Sequence, residues 1–209
     1  MITYLGHSCL LVETDQVRIL IDPGNFSTPW HGLTDLDAIV ITHSHPDHID
    51  PVYLPALVDL NPQVRLLVEP TVPDSYDLPD AERLHVGESM EISTTKITAV
   101  GGQHAVIHRD IPRIGNIGIL VHTQGEPTFF HPGDALDTTP EGVDILGIPA
   151  HAPWCAMKET IDFVREIGAP QGVLIHDGLI NERGWNLTFN RLNEMTSTVI
   201  TDHRDGLAF

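Results

Sequence analysis

Residues 38–50 read AIVITHSHPDHID. The first four, Ala38, Ile39, Val40 and Ile41, are a short apolar run rich in β-branched side chains, which predicts a buried strand. The run stops abruptly and delivers His43, His45, Asp47 and His48. Pro46 lies among them and lacks the N–H that a strand ladder needs, so a turn must follow the strand. Three imidazoles and a carboxylate at a strand end make a donor set suited to zinc, iron or manganese. The plainer reading is a solvated His-rich turn, since 13 of the 209 residues are histidine. That reading needs neither the apolar strand behind the turn nor further donors downstream, and the chain supplies both.

Two other apolar runs end in the same way. Phe129 and Phe130 lead into His131-Pro132-Gly133-Asp134, and Gln171 to Ile175 leads into His176-Asp177-Gly178. A fourth candidate is His104, which follows Gly101 and Gly102; glycines there let backbone approach closely. Val143 to Ile148 reads as a buried strand that ends near His151 and Trp154.

The run His43-Ser44-His45-Pro46-Asp47-His48 matches the H-x-H-x-D-H signature of the metallo-β-lactamase superfamily. The chain most resembles the small, stand-alone metal-dependent hydrolases of that superfamily, near the ascorbate-6-phosphate lactonase-like branch. The resemblance implies an α/β (α+β) fold, a four-layer αββα sandwich of two related halves, with metals at one edge of the sheets. It implies two divalent ions, zinc first and manganese or iron as alternatives. By that resemblance the first ion takes His43, His45 and His104, with His108 as the fallback for His104. The second takes Asp47, His48 and His176, and Asp134 bridges them. Asp47 also orients the water that the metals activate, which makes it the catalytic residue. The early Gly6-His7-Ser8 and Ile21-Asp22-Pro23 occur in the family near the metal cleft. His7 is therefore a substrate-pocket candidate beside His151 and Trp154, with a surface turn or packing as the alternative for each. Asp22 is a candidate to orient a metal-bound histidine, or a simple turn residue. His131 should point to the opposite side of its strand and be structural.

The implied reaction is hydrolysis of a small ester, lactone or phosphodiester. A non-catalytic metal- or ligand-binding module of the same fold is the alternative. A closed structural zinc site needs only four ligands, and seven candidates exceed that.

A chain of 209 residues can bury a sizeable core as one domain, 1–209. Eleven basic residues stand against 29 acidic ones, a formal charge of −18. Such a surface repels polyanions, so no nucleic acid is expected as a partner. The 41% apolar content argues against disorder despite the acidity. Nothing at Met1 to Tyr4 resembles a secretory signal, and no apolar run approaches a membrane span. The expectation is a cytoplasmic protein with Cys9 and Cys155 reduced, a small-molecule substrate and no membrane partner, with homo-oligomerisation left open. His108, Arg109 and Arg113 bring local positive charge to an acidic chain, for an anionic substrate group or as a salt-bridged loop.

The remaining pattern predicts strands at 1–5, 9–13, 17–21, 64–68, 89–92, 96–100, 116–122 and 127–130, with an edge strand in 197–202. Helices are predicted at 53–60 and 156–167. The second would bury Met157, Ile161 and Val164 and close at Gly168.

Overall fold

The computed structural model describes all 209 residues. Strands β1 (Ile2–Gly6), β2 (Cys9–Glu13), β3 (Arg18–Ile21), β4 (Ala38–Ile41), β5 (Arg65–Val68) and β6 (Glu82–Arg83) form one sheet in sequence order. A second sheet runs β7 (Ser89–Ile92), β8 (Thr95–Gln103), β9 (Gly115–Thr123), β10 (Phe129–His131), β11 (Ile145–Pro149), β12 (Gln171–Ile175) and β13 (Val199–Thr201). Each sheet starts as an antiparallel meander and finishes parallel. The change falls at the β3–β4 pair in the first sheet and the β10–β11 pair in the second.

Burial on both sides explains the continuous apolar reading of β4. Ala38 and Val40 face the cluster between the sheets, while Ile39 and Ile41 face the outer layer. The central cluster takes Leu10, Ile19 and Leu67 from the first sheet and Ile97, Ile119 and Ile175 from the second. Outside the first sheet, helix α1 (Leu54–Leu60) buries Leu54 and Leu57 beside Trp30 and Ile39. Outside the second, helices α2 (Met157–Ile167) and α3 (Glu182–Met195) bury Ile161, Phe163, Trp185 and Leu192 against Leu146 and Leu174. The order of layers is thus helix, sheet, sheet, helix pair, the αββα arrangement. No helix is long and apolar enough to cross a membrane. Cys9 and Cys155 are free thiols.

Most expected elements are present within a residue or two. Helix α2 buries Ile161 and Val164, with Met157 partly buried against the same cluster, and Gly168 closes it in the left-handed conformation at φ 65°. Strand β8 runs on to Gln103 because Gly101 and Gly102 stay paired with Ile117 and Asn116 of β9. The sequence reading had no counterpart for the two-residue β6, the 3₁₀ turn Val72–Asp74 or the whole of α3. The α3 sequence ERGWNLTFNRLNEM carries a glycine and three asparagines, all weak helix formers. Its start is fixed by Asn181, whose side-chain oxygen accepts from the N–H groups of Arg183 and Gly184, both at 3.1 Å. Its buried stripe, Trp185, Thr188 and Leu192, then follows helical spacing into the core.

Replacing Asn181 by Ala should therefore cost about 1 kcal/mol of stability. A urea unfolding curve would check it through a lower midpoint at constant slope; an unchanged midpoint would show that α3 is held by packing alone.

Candidate metal centre

Turns at one edge of the two sheets carry all the candidate donors. Asp22 follows β3, the 43–48 turn follows β4, Asp134 follows β10, and His176 follows β12. This is the carboxyl-end crevice where open sheets with parallel strands collect their ligands. His104 follows β8, and His7 lies in the β1–β2 turn. His7, Asp22 and His176 adopt positive φ angles of 52°, 50° and 58°. Non-glycine residues seldom do so, and the strain is concentrated at this edge.

Two turns from the first sheet interlock here. The Asn25 N–H donates to the Pro46 carbonyl at 2.9 Å and the Asp50 N–H to the Pro23 carbonyl at 3.0 Å. Between them, a Cβ on Gly24 would fall 1.8 Å from the Asp47 carbonyl oxygen, so only glycine fits.

The donors form two groups, each with its ligand atoms within 4.8 Å of one another. One group is His43, His45, His104 and Asp134; the other is His7, Asp47, His48 and His176. Asp134 also reaches the second group. Its Oδ1 lies 3.1 Å from His48 Nε2, and its Oδ2 lies 3.2 Å from His176 Nε2, 3.4 Å from His104 Nε2 and 3.8 Å from His43 Nε2. Asp134 is buried, and its N–H is held by Asn116 Oδ1 at 2.9 Å.

The outer hydrogen bonds fix which ring nitrogen carries the proton. A carbonyl or carboxylate oxygen can only accept, so a ring nitrogen bonded to it must carry hydrogen. His104 Nδ1 donates to the Ala105 carbonyl and His176 Nδ1 to the His151 carbonyl, both at 2.7 Å. His48 Nδ1 donates to Asp22 Oδ2 at 2.7 Å. The Thr42 hydroxyl spends its hydrogen on Asp22 Oδ2 at 2.7 Å, so its oxygen accepts from His43 Nδ1 at 3.0 Å. Asp22 Oδ1 takes the Thr42 N–H at 2.8 Å. Four rings thus carry hydrogen on the outward Nδ1 and turn Nε2 towards Asp134. Asp22 orients His48 directly and His43 through Thr42. Thr42 was absent from the sequence reading, and its only sequence signal is its place beside His43.

This donor set fits divalent metal ions. The buried His104 Nε2, His176 Nε2 and Asp134 Oδ1 have no hydrogen-bond partner. Neutral rings with hydrogen on Nδ1 point lone pairs at the lone pairs of a carboxylate, and only cations between them make that arrangement favourable. The charge state of the metal-free protein reflects the same demand. Burial opposes a charge on His48, yet Asp134 and Asp22 outweigh it and hold its pKa well above the ordinary imidazole value. Burial likewise opposes charge on His176, but Asp134 and Asp47 push its pKa up to about 9. Burial dominates at His43 and His45 and lowers both, with further lowering from neighbouring histidines. Burial raises the Asp47 and Asp134 carboxyls, but the surrounding histidines overcome it and hold both below the usual carboxylate range.

Of the three residues expected at the substrate face, His7 lies inside the donor cluster, His151 at the surface and Trp154 beside Asp134. His7 is buried inside the second group, with Nε2 3.0 Å from Asp47 Oδ2. His151 is exposed, and it is its carbonyl that holds His176. Trp154 is half-buried and donates from Nε1 to Asp134 Oδ2 at 3.0 Å. His131 is fully buried; its Nε2–H donates to the Ser8 carbonyl and its Nδ1 accepts the Gly133 N–H, both at 3.0 Å. His108 is exposed, lies outside both groups and sits 3.6 Å from Asp110. Arg109 faces Asp110 at 3.7 Å. Arg113 donates to the His104 carbonyl at 2.7 Å and lies 3.7 Å from Asp137. The basic loop is therefore salt-bridged.

Residues 1–175 match the Beta-lactamase superfamily domain. Protein Rv0786c of Mycobacterium tuberculosis is 42% identical over 198 residues, spanning 94% of this chain and 93% of that protein. A UPF0173 metal-dependent hydrolase of Alkaliphilus metalliredigens is 26% identical, with 84% of each chain covered. The solved structure of Igni18, a metallo hydrolase from Ignicoccus hospitalis, superposes with a TM-score of 0.70 at 16% identity, covering 96% of this chain and 94% of that one. The chain belongs to the metallo-β-lactamase superfamily.

Two predictions follow from the donor geometry. Imidazole binds metal only when neutral, and carboxylate neighbours favour the charged forms of His48 and His176, so uptake at pH 7.5 should release a measurable number of protons. Titration calorimetry in buffers of different ionisation enthalpy reads this number, and zero would contradict the assignment. In Asp22→Asn, an amide NH₂ would face the Thr42 hydroxyl and the His48 N–H. Metal affinity should fall about 10- to 100-fold, measured by competition with a chromogenic chelator.

Proposed function

We propose that this protein is a dinuclear metallohydrolase that cleaves a small, uncharged ester or lactone. The observation that carries the reading is that one buried carboxylate, Asp134, lies within reach of imidazoles from both donor groups. His43, His45 and His104 would hold one ion, Asp47, His48 and His176 the other, and Asp134 would serve both. Divalent ions, zinc first with manganese or iron as alternatives, supply Lewis acidity and lower the pKa of water when bound.

The protein's own part is to orient and to keep charge in place. Asp47 is the more open of the two candidate ligand carboxylates, its side chain 18% exposed against 3% for Asp134. Burial opposes its charge, but the hydrogen bond from His7 and the surrounding histidines keep it ionised. Its carboxylate can therefore accept a hydrogen bond from the attacking water and aim it. Trp154 restrains the other carboxylate through Asp134 Oδ2.

A cavity of about 470 Å³ opens beside the His104 and Asp134 turns, a size suited to a small molecule. Val106, Leu136 and Trp154 supply apolar wall, and Asp137, Glu159, Asp162 and Glu166 line it with a single basic residue, Arg113. Arg113 is already engaged with His104 and Asp137. Such a wall repels a phosphate, so among the three classes that the superfamily resemblance suggests, an ester or lactone is favoured over a phosphodiester. The same argument weighs against a phosphorylated lactone.

The metal-loaded protein should hydrolyse uncharged 4-nitrophenyl esters or simple lactones faster than bis(4-nitrophenyl) phosphate, and the opposite order would overturn the substrate class. Asp47→Ala should lower turnover by about 10²- to 10⁴-fold. An unimpaired variant would remove Asp47 from the reaction.

A further inference from the structure

His7 is the odd member of its group. The Gly178 N–H points at His7 Nδ1, 3.0 Å away. A backbone N–H can only donate, so Nδ1 holds a lone pair and the ring hydrogen is on Nε2. That Nε2 faces the cluster, 3.0 Å from Asp47 Oδ2, and the contact is a donation from His7 to Asp47. The other cluster rings whose hydrogen is fixed by their partners, those of His43, His48, His104 and His176, have it on the outward Nδ1. Ring orientation alone thus separates a nitrogen that can bind metal from one that cannot.

The surroundings hold His7 in this state. A Cβ on residue 178 would lie 2.9 Å from His7 Nδ1 and 3.1 Å from the Phe26 ring, so glycine is needed for the approach. The His176 N–H donates to the His7 carbonyl at 2.9 Å. The Phe26 ring centroid lies 5.0 Å from that of His7, and the His176 centroid 4.2 Å. Both His7 and His176 take the positive φ that this clasp requires. Residue 7 therefore grips the 176–178 turn with its backbone and one ring nitrogen, and reaches Asp47 with the other.

We propose that His7 is a positioning residue and not a metal ligand: its Nε2–H fixes the Asp47 carboxylate. The inference rests on the dinuclear reading. Were His7 also a ligand, the second ion would have five protein donors, counting Asp134, and little room for water or substrate. As a donor, His7 leaves the second ion four protein donors, so that water or substrate can enter as a fifth ligand.

Full-length protein labelled with ¹⁵N-histidine, before and after loading with cadmium-113, tests this by long-range ¹H–¹⁵N correlation, with His7→Gln identifying the His7 ring. The result expected is an Nε2–H tautomer for His7 in both states and no cadmium splitting. His43, His48, His104 and His176 should carry Nδ1–H and show splitting at Nε2. Splitting at His7 Nε2, or an Nδ1–H tautomer there, would overturn the proposal. Cadmium splitting from no ring at all would instead refute the metal centre, while the metal-free tautomer of His7 would still be read. Elemental analysis of His7→Ala and His7→Gln should find the wild-type metal content, and loss of an equivalent in both would count against the proposal. With 4-nitrophenyl acetate, His7→Ala should lose about 10- to 100-fold in kcat at nearly constant KM, with partial recovery in His7→Gln through its amide N–H. Wild-type kcat in His7→Ala would overturn the positioning role.

Discussion

Lone pairs converging on one buried carboxylate are the constraint to which the site is built. Asp134 has imidazole nitrogens from both halves of the molecule within 4 Å. A protein interior does not tolerate this unless cations intervene or the rings take up protons. The raised pKa values of His48 and His176 are the second of these responses. The hydrogen-bonding layer outside keeps the rings from rotating away. It consists of one carboxylate, one hydroxyl and two backbone carbonyls, each of which leaves the inward nitrogen free. Asp22 is itself buried, and the donations from Thr42 and His48 satisfy a charge that would otherwise be costly there.

Much of this was legible in the sequence, for definite reasons. Strand β4 announces itself because both of its faces are buried, so Ala38 to Ile41 read as an unbroken apolar run. The 43–48 donors are readable because they sit in one short turn. His104, Asp134 and His176 are each a single residue, and their association depends on strand order, which no local pattern carries; the family resemblance supplied it. His7 was placed in the right neighbourhood, but its bond to Asp47 was not legible, because the placing of its ring depends on a turn 169 residues later, reached through the His176 N–H. Thr42 and the His151 carbonyl could not be found at all, since a hydroxyl beside a histidine and a backbone oxygen leave no compositional trace. Helix α3 was missed because its weak propensity is overridden by the Asn181 cap and by the burial of Trp185 and Leu192.

The net charge also takes on a local meaning. At −18 the chain as a whole repels polyanions, and the sequence alone left room for a basic pocket to reverse this near the site. The structure has no such reversal in the cavity beside Trp154, where carboxylates outnumber the single arginine. Arg113 braces the backbone of His104 instead. A basic residue near an active site is thus a poor guide to substrate charge until its partners are known.

The meander-then-parallel pattern occurs once in each sheet, and the donors are divided between the two repeats. His43, His45, Asp47 and His48 come from the first, and His104, Asp134 and His176 from the second. Neither repeat owns a complete donor group. Any cation held at this edge is therefore a rivet across the seam between the sheets, and its binding free energy becomes cohesion of the whole molecule. The chain assembles its reaction centre and joins its halves with the same atoms.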